Sequence, residues 1–187
     1  MAVELVGAKM VAPYFGGSLY VWSAVLALTL GGLAAGYFMG GIVSGKTSRE
    51  ISLFGILLVS GILVAFMPIT APLIMETCLD LDLRLGILIS CLVFLFPPLV
   101  LFGMVSPIII RLVSSHESRI GHAAGTVYTV STIGGICVTF FIAFYSIPYL
   151  GLKASAMMTA AILVFFPLVY FLGYGRKRAL RVSHSLE

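Results

Sequence analysis

Charge is what this sequence has least of. Asp, Glu, Lys and Arg together make up 10% of its 187 residues, against about 25% in a soluble globular domain. So low a charge excludes a disordered chain and a solvated coiled coil. Cysteine is also scarce. Cys78, Cys91 and Cys137 form no CxxC pair, and their odd number and wide spacing supply neither a disulfide framework nor a metal set. Cys91 and Cys137 stand in apolar runs and read as small hydrophobes. Catalytic signatures are missing as well. There is no GxSxG, HExxH, Walker loop, or GxGxxG followed by an acid. GGLAAG falls inside a long apolar run, the wrong setting for a nucleotide. No enzyme, cofactor or metal is expected, and without a basic patch interleaved with aromatics no nucleic-acid partner is either.

Apolar residues fill the space these absences leave. They are 60% of the chain, and the mean hydropathy is +1.15. A soluble domain near 150 residues buries only about 70% of the surface its unfolded chain exposes. Water therefore cannot be the solvent, and the lipid bilayer is the first partner the composition demands. A spanning helix needs about 20 mostly apolar residues. Five segments qualify: Leu19 to Ser44, Ile51 to Met67 with an extension towards Met75, Leu83 to Val113, Ala123 to Ile147, and Leu152 to Tyr174. KTSRE, then PITAP with the acidic ETCLDLD, then SSHESRIGH, then PYLG separate them. The expected fold is an all-α integral membrane protein of five full transmembrane helices plus a short N-terminal helix. Residues 1–175 form a single domain, followed by a basic tail over 176–187, in which Leu186-Glu187 reads as a cloning scar.

The opening stretch, Ala2 to Ala12, is half a span, and Pro13 with Gly16-Gly17 is expected to end it. It reads as the second half of a spanning helix, or as a re-entrant or interfacial piece. It lacks the basic region and cleavage site of a signal peptide.

Loop charge orients the bundle. Lys46, Arg49, Arg111, Arg119, Arg176, Lys177, Arg178 and Arg181 fall on one side if the five helices alternate, while Arg84 and Lys153 fall opposite. The positive-inside bias places the first group, and the C-terminus, in the cytoplasm of a cell inner (plasma) membrane. The loop with Glu76, Asp80 and Asp82 is then outside, beside an aromatic belt of Tyr14, Tyr20 and Trp22. His116 and His122, with Glu117 and Arg119, read as a solvated loop on the inner side rather than a metal site.

Several features point inward. Gly32, Gly36 and Gly40 recur every fourth residue, which lets two helix backbones approach closely. A second face carries Gly121, Gly125, Tyr128, Thr132, Gly135, Thr139 and Ser146. It reads as a packing seam or as the lining of a solute path. Pro97, Pro98 and Pro107 should kink or unwind the long third span and serve as hinges. Glu4 and Lys9 are ionisable groups within an apolar stretch, a setting that defaults to a functional hypothesis. The candidate path residues are Glu4, Lys9, Tyr14, Ser106, Tyr128, Ser131 and Thr132. Glu4 would bind or exchange a cation.

The runs ELVGAKMVAPYFGG, LFGMVSPIIIRL and GTVYTVSTIGG resemble the membrane portion of the fused MFS/spermidine synthase proteins, over Glu4 to about Gly151. The resemblance implies a bundle like one six-helix half of a major facilitator transporter, working as a homodimer and carrying a small cationic solute such as a polyamine. It also implies an alternative, a membrane anchor for a soluble aminopropyltransferase-like partner, with the RKRALR tail as a docking element. The glycine-rich nucleotide loop and catalytic acids of the family's soluble domain are missing here. The stripe Gly32, Gly36, Gly40 and the stripe Gly125, Tyr128, Thr132, Gly135 are two close-packing faces, and at least one is expected at the dimer interface.

Overall fold

Apolar runs too long for a soluble core, broken by few turn formers, leave the backbone one way to satisfy its polar groups in lipid, which is the helix. The computed structural model describes residues 1–45, 49–113 and 120–183, and among them no strand occurs. The elements are α1 (Ala2–Phe15), α2 (Leu19–Val43), α3 (Arg49–Cys78), α4 (Leu83–Phe94), α5 (Phe96–Val113), α6 (Ile120–Phe141), a π-helical segment (Ile142–Leu150) and α7 (Leu152–Ser183). Five stretches among the described residues are long and apolar enough to cross a membrane: Leu19–Val43, Glu50–Cys78, Phe96–Val113, Gly121–Leu150 and Leu152–Gly173. Large side chains such as Leu30, Phe38, Ile69, Phe144 and Leu172 point outward from the bundle. So wide an apolar exterior is a lipid-facing surface. The protein is an all-α, multi-pass membrane protein.

Prolines behave differently from the expectation. Pro13 does not end α1. The helix runs to Phe15 and stops at Gly16, whose φ of +77° is open to glycine and whose N–H bonds to the Ala12 carbonyl. PITAP does not break α3, which carries Pro68 and Pro72 inside one 30-residue helix. A proline costs one donor and a clash with the preceding turn, but in lipid an unwound segment would strand several polar groups, so the helix persists. Thr70, between the two prolines, donates its hydroxyl to the Phe66 carbonyl at 3.1 Å. The third span does divide, at Leu95 between α4 and α5. Pro97 and Pro98 withhold the donors that the Val93 and Phe94 carbonyls would meet in an α-helix. Leu95 keeps its own bond to the Cys91 carbonyl at 3.0 Å, so the joint is a tight kink. At Pro107, α5 continues without a break.

The seam between α2 and α5 is the closest in the bundle. The two helices run parallel. A methyl on Gly32 would meet Leu99, one on Gly36 would meet the Val100 carbonyl and the Gly103 Cα, and one on Gly40 would meet Met104 and the Pro107 ring. The first glycine stripe is thus internal, with Gly103 completing it from the other side. It is not at a dimer interface, because α5 already occupies it.

The short α1 is the hub. It touches α2, α3, α4, α6, the π segment and α7, and Val6, Val11 and Phe15 are buried in the core with Met67, Met75 and Leu95. Gly7 lets the Leu95 side chain close on it. The sequence suggested a half span or an interfacial piece, whereas the structure packs this helix in the middle of the bundle. Around it, α3 packs on α7, α5 and α4, and Gly61 admits Val164 of α7. By contrast, among the described residues α6 touches only α5, α1 and its own continuation. Of the five spans, the one from Gly121 to Leu150 is the least buried, at 11% of its apolar window.

Candidate functional site

Because α6 stands off from the bundle, a cavity of about 350 Å³ opens between it and the α2–α5 pair. Tyr37 of α2 and Ser106 of α5 form one wall. Tyr128, Ser131, Thr132, Gly135, Ile136, Thr139 and Phe140 of α6 form the other, and Met1 at the start of α1 lines it too. Small-molecule sites fall in this size range. The steps of three and four along α6 put its lining residues on one helix face.

The chemistry of the lining is hydroxyl and aromatic. No Asp, Glu, Lys or Arg is among the lining residues. Thr132 donates its hydroxyl to the Tyr128 carbonyl at 2.7 Å, so its oxygen lone pairs remain as acceptors towards the cavity. A methyl on Gly135 would sit 3.2 Å from the Met1 side chain, so glycine here keeps the space open. Of the candidate path residues, Ser106, Tyr128, Ser131 and Thr132 meet in this cavity. Glu4, Lys9 and Tyr14 do not line it. Glu4 is half-buried on α1, Lys9 is exposed, and Tyr14 packs against the core. Tyr37 carries no signal in the sequence, where it is one aromatic among many in an apolar run.

The second small-residue face is open. Gly121 and Gly125 have no atom near the position of an added methyl, and Tyr128 and Thr132 are exposed. Ser146, which α-helical spacing places on the same face, lies elsewhere. It is fully buried, with its hydroxyl oxygen 2.8 Å from that of Ser155 on α7.

At the other end of the bundle, Asp82 caps α4 by accepting from the Arg84 N–H at 3.3 Å, and the Arg84 guanidinium lies 5.0 Å over the Tyr20 ring. Tyr20 and Trp22 face outward there. Where α2 and α5 end, Arg111 donates to the Ser44 hydroxyl at 3.4 Å. Nearby, Tyr170 stacks on Phe54 with centroids 3.9 Å apart and donates to Glu50 at 3.2 Å. Cys78 and Cys91 are buried and Cys137 is exposed, all as free thiols. Among the described residues no group of three or more His, Cys, Asp or Glu could hold a metal ion. Lys46, His116, Glu117 and Arg119, like the side chains of the RKRALR tail, lie outside the described residues. No family model, curated protein or solved structure matches the chain.

Proposed function

We propose that this multi-pass membrane protein is a transport module whose solute path runs through the α2–α5–α6 cavity. One observation carries the reading. Ser106, Tyr128, Ser131 and Thr132 come from two helices in an apolar bundle, yet they converge on one open volume of about 350 Å³. Lipid gives no reward for such a lining, and hydroxyls replace the water that a solute leaves behind. Tyr37, Tyr128 and Phe140 bring three aromatic rings to the lining, the side-chain type that attracts organic ammonium ions. A small organic cation of polyamine type is the solute class favoured by these rings together with the family resemblance. Glu4, three residues along α1 from Met1, is the carboxylate assigned to exchange a cation. The exposed small-residue face of α6 supports a homodimer, in which a second copy supplies the opposing half that alternating access needs.

Flux of labelled polyamines and of tetraalkylammonium ions into proteoliposomes tests this. Uptake should fall at least tenfold in Thr132→Leu and Gly135→Leu, which fill the cavity, and should survive in Gly134→Ala. Absence of flux for every organic cation tried would overturn the reading.

A further inference from the structure

The position of Ser146 is at odds with the helix that leads to it. Seven residues separate it from Thr139, which is two α-helical turns to within about 20°. An unbroken α-helix would therefore aim both into the cavity. Thr139 does line the cavity, while Ser146 is fully buried against Ser155 of α7. The π-helical segment Ile142–Leu150 accounts for the difference. Each i→i+5 turn holds one residue more than an α turn, and one extra residue rotates everything before it by about 100° relative to everything after it.

Two local features hold this register. Pro148 lies within the segment. In an α-helix its ring would clash with the Phe144 carbonyl, and the wider turn relieves that clash. The second is a hydrogen-bond chain. Ser155 gives its hydroxyl hydrogen to the Gly151 carbonyl at 2.7 Å. It can therefore only accept from Ser146 in their 2.8 Å contact, and the donor must be Ser146.

We propose that Ser146, Ser155 and Pro148 are positioning residues that set which face of α6 lines the cavity, and that the cavity is open only in the π register. Were one π turn of the segment to tighten to an α turn with α7 fixed, each α6 residue would be replaced at the wall by the next in sequence. Ile133 would take the place of Thr132, Ile136 that of Gly135, and Phe140 that of Thr139. Bulk would arrive at Gly135, where a single added methyl already stands 3.2 Å from Met1, and two of the four hydroxyls that α6 gives the lining would be lost. Because among the described residues α6 packs only on α5 and α1 besides its own continuation, it can turn without dismantling the rest of the bundle. The functional consequence rests on the transport reading, but the rotation does not.

Thiol cross-linking in native membranes reads the register directly. Cys78, Cys91 and Cys137 are replaced by Ala, and Ser106→Cys is combined with either Thr132→Cys or Ile133→Cys. A short bifunctional thiol reagent should link Ser106→Cys to Thr132→Cys in preference to Ile133→Cys. Adding Ser146→Ala should move the product ratio towards Ile133→Cys by about fivefold, the equivalent of one hydrogen bond. Pro148→Ala, at an exposed position where misfolding is not at issue, should move it the same way. Ser146→Thr, which keeps the hydroxyl, should restore the original ratio. An unchanged ratio in both Ser146→Ala and Pro148→Ala would overturn the proposal, as would loss of both links without a gain at Ile133→Cys. A protein that shows the shift but carries no solute would sink the transport reading and leave the register intact.

Discussion

Replacing Gly36 with alanine should weaken the bundle by an amount the α2–α5 seam sets. The new methyl would overlap the Val100 carbonyl oxygen and stand 2.8 Å from the Gly103 Cα, where ordinary contacts begin near 3.4 Å. Both obstacles are backbone, so no side chain can swing aside. The Val100 carbonyl is the nearer obstacle, so the helices must separate by roughly 1 Å, and a gap of 0.5–1 Å already forfeits about a quarter to a half of each dispersion contact across it. Some twenty to thirty atom pairs at about 0.15 kcal/mol each lose on the order of 1–2 kcal/mol, within the usual 1–3 kcal/mol for overpacking. Alanine's better helix propensity returns up to about 1 kcal/mol. The net loss should be about 1 kcal/mol, and Gly125→Ala, with open space around it, should be neutral or stabilising. Gly103→Ala forces the same separation, since its methyl would meet the Leu33 carbonyl at 2.6 Å. The double variant should therefore cost clearly less than the sum of the singles. Unfolding in mixed detergent–SDS micelles measures all four. If Gly36→Ala is as stable as Gly125→Ala, or if the pair is additive, the seam is not where the stability lies.

Gly7→Ala should be milder than Gly36→Ala, because its methyl meets side-chain ends and no backbone, Leu95 at 2.8 Å and Met67 at 3.6 Å; the same unfolding titration compares them. Tyr170→Phe keeps the stack on Phe54 and loses one exposed hydrogen bond to Glu50, so its stability should change by no more than about 0.5–1 kcal/mol. Cysteines placed at Lys46 and Arg119 should react with an impermeant maleimide only from the cytoplasmic side, and one at Asp80 only from outside. The reverse pattern would invert the proposed orientation. Mass measurement in lipid nanodiscs should give a dimer that Gly125→Leu disrupts, and a monomer across lipid compositions would remove the second copy from the transport scheme.

Hydropathy located all five spans because lipid imposes a condition that each segment meets alone, namely length and apolarity. The outward Tyr20 and Trp22 and the division near Pro97-Pro98 were legible for similarly local reasons. The spacing of Tyr128, Thr132, Gly135 and Thr139 put them on one face of α6, and all four line the cavity, since three- and four-residue steps describe a single helix. What sequence could not weigh was competition between a local signal and its surroundings. Pro13 read as a break, and Pro68 and Pro72 left open whether the second span ends at Met67 or runs on to Met75; the helices pass through all three, because unwinding in an apolar medium costs more than one missing donor. The central place of α1 was hidden, since fourteen residues look too few to span and nothing local says that six other elements will pack on them. Nor could periodicity tell which small-residue stripe is occupied. Only the fold brings Gly103 and Val100 onto Gly36 and leaves Gly125 bare. Ser146 gives the sharpest case. Its side of the helix depends on one extra residue in a π turn, and that turn is held by a hydroxyl on another helix. Local pattern determines where helices lie in a membrane, and contact between helices decides how far each has turned.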